Sequence, residues 1–147
     1  MGNSLFIGFK GKNNASAILA EALSPCCCLL TNSFSGLEKD IEGIKEGCDA
    51  VYLFGIDKNL KDSLRVETAA EKEGTRLETC LDTDALRKQL EASGIRTCVS
   101  ERPTKYLCNE AYWELLRKFG GRAVLIHIPT IRYNDESWPA KLTQILR

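Results

Sequence analysis

Short apolar runs rich in β-branched and aromatic residues alternate along the chain with segments whose apolar residues recur at helical spacing. That alternation predicts an α/β fold built around a largely parallel sheet. Ser4–Phe9 (SLFIGF) reads as a first strand, and Asn14 as the N-cap of a helix over Ala15–Leu23 that Pro25 prevents from continuing. Residues 26–31 read as a second strand, and Leu37, Ile41 and Ile44 predict a helix ending near Gly47. Residues 50–55 (AVYLFG) form the clearest buried strand. Residues 56–76 are polar and weakly periodic. Only 64–70 (LRVETAA) reads as a strand there, and the charges from Lys58 to Arg65 read as a solvated loop. Asp82 or Thr83 caps a helix carrying Leu86 and Leu90 that stops at Gly94, followed by a strand over 95–100. A helix from about Lys105 to Phe119 places Leu107, Ala111 and Leu115 on one face, residues 122–128 form a further strand ended by Pro129, and Trp138–Leu146 is a closing helix. Trp113 and Trp138 read as helix-packing residues. With no repeat and no linker, residues 1–147 read as a single three-layer α/β domain, a mostly parallel sheet flanked by helices.

The 147 residues, 44% hydrophobic, are enough to bury a core without a metal or disulfide. Twenty basic and twenty acidic residues balance, which argues against a nucleic-acid or anionic-membrane binder, because both depend on an excess of cations. No apolar stretch approaches the ~18 residues of a membrane span, and residues 1–9 lack a basic n-region, so a cytoplasmic protein is expected. The seven cysteines are odd in number, include the run Cys26-Cys27-Cys28 and contain no CxxC pair, and His127 is the sole histidine. This fits reduced thiols and argues against a zinc site. Adjacent strand residues point to opposite faces, so the triple-cysteine run reads as structural.

Sites in parallel α/β sheets lie beyond the carboxyl ends of strands. A helix from Cys108 to Phe119 carries the chain roughly 17 Å away at ~1.5 Å per residue, and the strand to His127 returns it by about the same distance at ~3.3 Å per residue. Cys108 and His127 should therefore meet at one edge. In the first turn of its helix, Cys108 faces unpaired N–H groups and the positive dipole end, which lower a thiol pKa. An imidazole can take the thiol proton, and a carboxylate behind it can fix its tautomer. Glu67, isolated among apolar and small residues, is the candidate, with Glu71 as a neighbouring alternative. The same spacing also suits a small buried thiol and a core histidine.

The segment Lys105-Tyr106-Leu107-Cys108-Asn109-Glu110-Ala111-Tyr112-Trp113-Glu114-Leu115-Leu116 resembles the nucleophile motif of the pyroglutamyl peptidase I (pyrrolidone-carboxylate peptidase) family. Ala92-Ser93-Gly94-Ile95-Arg96-Thr97-Cys98-Val99-Ser100 is similar to the helix, turn and strand leading into it. Leu125-Ile126-His127-Ile128-Pro129 resembles the catalytic-histidine strand, and Arg65-Val66-Glu67 the segment bearing the catalytic glutamate. The resemblance implies a phosphorylase/hydrolase-like fold, with Cys108 as nucleophile, His127 as general base and acid, and Glu67 as orienting carboxylate. It implies hydrolysis of the amide after an N-terminal pyroglutamyl residue through a thioester, without cofactor or metal. The partner would be a peptide or small amide substrate, and a homo-oligomer is a candidate state. Phe9 and Tyr106 are candidate apolar walls for the substrate. The Cys108 backbone N–H is the natural oxyanion donor, with Lys58 or Lys61 as a candidate accessory cation.

The chain departs from the family where the family binds substrate. Lys10-Gly11-Lys12-Asn13-Asn14 stands where the family has a Pro-Phe-Gly-Gly segment, Ile56 follows Gly55 where the family often has Gln, and Glu101-Arg102-Pro103-Thr104 replaces a small-residue loop. Because loss of a specific polar contact alters discrimination by orders of magnitude, the triad can persist with a changed substrate. The alternative to an enzyme is a non-catalytic relative binding a small molecule or protein in the remodelled cleft.

Overall fold

A computed structural model describes residues 3–45 and 47–147. Six strands form one sheet in the order β2-β1-β3-β8-β4-β7, where β1 is Ser4–Phe9, β2 Cys28–Leu30, β3 Ala50–Ile56, β4 Ser63–Glu67, β7 Arg96–Ser100 and β8 Ala123–Ile128. The strands β2, β1, β3 and β8 run parallel. β4 is antiparallel to β8 and parallel to β7, so the sheet reverses direction once, between β8 and β4.

Alternation along each strand sorts residues between two helical layers. Phe6, Phe54, Val66, Val124 and Ile126 pack with α1 (Ala15–Leu23), α3 (Thr83–Ala92) and α5 (Trp138–Leu146). Ile7, Leu53 and Leu125 pack with α2 (Phe34–Glu42) and α4 (Tyr106–Lys118). The helix starts follow local chemistry. The Asn14 side chain accepts from the Ser16 and Ala17 N–H groups, and Asp82 accepts from Ala85 N at 2.9 Å. At the end of α3, Gly94 adopts a φ of 89°, a conformation that costs glycine little.

The differences from expectation have local causes. β2 begins only at Cys28, because Cys26 N is spent on Ser24 Oγ at 3.1 Å in the turn after Pro25. α2 ends at Glu42, where Gly43 N still reaches Lys39 O, and Ile44 packs on the core from outside the helix. The predicted continuation toward Gly47 is thus absent through residue 45, and Glu46 lies outside the described residues.

The single strand expected over 64–70 divides at Thr68. Its N–H donates to Ser100 O while its carbonyl accepts from Thr79 N, turning the chain out of the main sheet. The hairpin of β5 (Ala69–Lys72) and β6 (Thr75–Glu78) follows. Its two-residue turn has φ 50° at Glu73 and 80° at Gly74, the primed geometry whose twist suits a hairpin. Nor is Arg65 in a solvated loop. It lies on β4, opposite His127. A short 3-10 turn, Ile131–Tyr133, follows β8.

Candidate active site

The register of three central strands sets the site. Gly55 on β3 and Arg65 on β4 flank His127 on β8 in one cross-strand row. Cross-strand neighbours share a sheet face, so Arg65, Glu67 and His127 all point toward α4. Because β4 runs against β8, the residue two further along β4 lies deeper in the fold. Glu67 is therefore opposite Leu125, beneath the imidazole and 1% exposed. His127 is 3% exposed, and its Nδ1 lies 2.8 Å from Glu67 Oε2.

Cys108 approaches from α4. A Cβ on Gly55 would fall 2.7 Å from Cys108 Sγ and 3.4 Å from His127 Cδ2, so the absent side chain is the space in which thiol and imidazole sit together. Three ties hold α4 in place. Tyr112 donates its hydroxyl to Glu67 O at 2.7 Å. The Asn109 amide donates to Glu71 O at 2.7 Å and accepts from Glu71 N at 3.1 Å, pairing with the hairpin as a strand would. Lys72 Nζ lies 2.7 Å from Glu110 Oε2 and 3.5 Å from Glu114 Oε2. Glu71 is thus a backbone anchor, and Glu67 is the carboxylate at the imidazole.

The hydrogen-bond inventory assigns the tautomer. Glu67 Oε2 also accepts from Arg65 Nε at 2.6 Å, which suits a carboxylate. Beside that acceptor, His127 Nδ1 must carry the proton, leaving Nε2 with a lone pair. Arg65 Nη2, 3.3 Å from Nδ1, then faces another donor and acts on the ring as a charge rather than a hydrogen-bond partner. Its Nη1 is held by Asp57 Oδ2 at 2.8 Å. Burial alone would raise the Asp57 carboxyl pKa, but the Asn59 N–H and the Arg65 guanidinium outweigh it and hold it below its ordinary value.

The thiol differs from expectation. Burial pushes Cys108 up from 9.0 to about 11, the Glu67 and Asp57 charges add to the rise, and Arg65 opposes it. A place in the first helical turn does not outweigh desolvation beside two carboxylates, so the resting group is a thiol. Tyr106, at the start of α4, is 80% exposed and has a φ of 66°, a left-handed conformation unfavourable for a bulky residue. That turn leads the chain directly into Leu107 and Cys108.

A cavity of about 520 Å³ opens over these groups, lined by Ile56, Asp57, Lys58, Arg65, Tyr106, Cys108 and His127 among others. Phe9 does not line it. β3 separates its strand from β8, and Phe9 is buried among Leu30, Leu37 and other residues of the α2–α4 layer. Lys58 reaches the cavity, whereas Lys61 lies 4.4 Å over the Tyr133 ring. Tyr106, Cys108, His127 and Lys58 are thus brought to one cleft, with Glu67 behind it.

Gly55, Asp57 and Arg65 are site residues that the sequence reading missed. The Gly55 signal was a glycine ending a buried strand, but Arg65 was masked by the surrounding lysines and aspartates.

Solved structures share this architecture. The pyrrolidone carboxyl peptidase from Thermococcus litoralis superposes with a TM-score of 0.75 at 19% identity, covering 88% of this chain and 77% of that one. That from Thermus thermophilus gives 0.73 at 18% identity over 98% and 91%. Pyroglutamyl peptidase I from Bacillus amyloliquefaciens gives 0.78 at 15% identity over 99% and 96%. The chain has the pyrrolidone carboxyl peptidase fold. No protein-family model and no curated protein matches it. At these identities the likeness to pyrrolidone carboxyl peptidases is one of backbone, and the chemistry rests on this chain's own side chains. Among the described residues, no helix is long and apolar enough to cross a membrane, and no group of three or more His, Cys, Asp or Glu could hold a metal ion.

Proposed function

We propose that residues 1–147 form one pyroglutamyl-peptidase-like domain, a cysteine peptidase that hydrolyses the amide after an N-terminal pyroglutamyl residue. The observation that carries this is the buried Glu67–His127 pair at 2.8 Å, with the imidazole sharing the space above Gly55 with Cys108 Sγ. The fold it shares with pyrrolidone carboxyl peptidases adds support.

A thiol pushed up to about 11 makes general-base attack the consistent route, rather than a standing thiolate. The Cys108 proton passes to His127 Nε2 as Sγ bonds to the scissile carbonyl carbon. Glu67 holds Nδ1–H and stabilises the imidazolium, and the Cys108 backbone N–H in the first turn of α4 is the oxyanion donor. Lys58, on the cavity wall, is the candidate accessory cation. Collapse breaks the C–N bond, and Nε2–H protonates the departing amine. Water then attacks the thioester carbonyl, giving a proton to Nε2. The C–S bond breaks, the proton returns to sulfur, and pyroglutamate is released. Tyr106 is the apolar wall for the substrate. All seven cysteines are unpaired, which supports a reducing, cytoplasmic setting.

The test is hydrolysis of a fluorogenic pyroglutamyl amide in reducing buffer by the wild-type chain, Cys108→Ala and His127→Ala. Turnover by the wild type and its loss in both variants, with normal folding, is expected. Absence of turnover in the wild type, or its survival in Cys108→Ala, overturns the proposal.

A further inference from the structure

The geometry points to Arg65 and Asp57 as a positioning pair that sets the working pH of the Cys108–His127 couple through opposed charges. This deepens the proposed peptidase function and rests on it. Arg65 makes three contacts from one side chain: Nε to Glu67 at 2.6 Å, Nη1 to Asp57 at 2.8 Å, and Nη2 beside His127 Nδ1 at 3.3 Å. Its side chain is only 25% exposed and that of Asp57 only 20%, so solvent screens them weakly compared with surface charges.

A buried carboxylate that holds an imidazole needs a counter-charge, or it draws a proton to the ring and keeps the ring from acting as a base. Arg65 supplies that charge from the strand position opposite His127. Asp57 holds the guanidinium from the other side and tempers it. The charged or titratable groups facing the couple are Asp57 and Lys58 after β3, Arg65 and Glu67 on β4, and Lys105, Tyr106 and Tyr112 from α4 and its cap. The Tyr112 hydroxyl is committed to Glu67 O, and Lys58, Lys105 and Tyr106 are exposed. Arg65 and Asp57 are therefore the part-buried members of this charge balance that lie outside the triad itself.

Removing a positive charge beside a thiol and an imidazole makes each harder to deprotonate, and removing a negative charge does the reverse. The rate of alkylation of Cys108 by iodoacetamide at fixed pH follows its thiolate fraction. The experiment measures that rate at pH 8 by mass spectrometry of the Cys108 peptide in wild type, Arg65→Gln, Arg65→Lys and Asp57→Asn. Arg65→Gln should be roughly tenfold slower and Asp57→Asn severalfold faster, with Arg65→Lys near wild type. The acid limb of kcat/KM should move by about one pH unit upward in Arg65→Gln and downward in Asp57→Asn.

Residues with a purely structural role would slow both variants or leave both unchanged, and either result overturns the inference. Should Arg65→Gln fail to fold, Arg65→Lys and Asp57→Asn carry the same test: Asp57→Asn alkylated no faster than wild type overturns it. The alkylation measurement needs no substrate. Failure of pyroglutamyl hydrolysis is therefore distinguishable from failure of this pair.

Discussion

Gly55 and Cys108 meet without an intervening side chain: a Cβ on the glycine would lie 2.7 Å from the sulfur. Because the same point is 3.4 Å from the His127 ring, a methyl group there separates thiol from imidazole. Gly55→Ala should destabilise the fold by about 1–3 kcal/mol, the usual cost of overpacking. Hydrolysis should fall by more than that loss of stability explains. Denaturant titration beside kcat/KM checks this, and wild-type activity in Gly55→Ala would contradict the close approach.

Glu67 is buried between two donors, His127 Nδ1 and Arg65 Nε. Glu67→Gln keeps the shape but removes the charge that holds the imidazole tautomer, so kcat should fall by roughly 10³–10⁴. Stability should fall by ~2–3 kcal/mol, less than for a fully broken buried pair because Arg65 keeps Asp57. Activity within tenfold of wild type would show that the imidazole is oriented by something else.

The Cys108 thiol, pushed up from 9.0 to about 11, links stability to alkaline pH. In this range the unfolded chain loses the proton first, so the native state binds more protons and stability falls as pH rises. The contribution is present in full below pH 9.0 and is lost through about 11. Unfolding free energies from pH 8 to 11 should drop more steeply for wild type than for Cys108→Ala. The exposed Cys26, Cys80 and Cys98 should also alkylate before Cys108 at neutral pH, which peptide mapping reads directly.

Tyr112→Phe removes the donor to Glu67 O while keeping the buried ring. The loss should be about 1–3 kcal/mol, because a buried carbonyl is left without this partner. Activity should fall far less than in Glu67→Gln, because the tie positions α4 and carries no proton. Melting curves and kcat together separate the two effects.

Several elements were legible because their signals are local. Asn14, Asp82 and Gly94 act on neighbouring backbone, so the boundaries of α1 and α3 follow from short-range sterics and capping. The near-continuous apolar runs of β1, β3 and β8 announced strands covered on both faces of the sheet. The hairpin turn at Glu73-Gly74 was readable in principle, but glutamate is a weak turn residue and the flanking strands carry too few apolar residues to mark themselves.

The sequence by itself determined the alternation of strands and helices, the cysteine at a helix start and the histidine near a strand end, since capping and periodicity act within a few residues. Only the tertiary structure decided that β4 runs against β8, which carries Glu67 beneath His127 and aligns Arg65 beside it. It also decided that Phe9 belongs to the core and that the Cys108 thiol is raised rather than lowered. Strand direction, burial and the sum of nearby charges depend on segments distant along the chain. Desolvation and Coulomb interactions respond to where those segments meet in space, which no local pattern encodes.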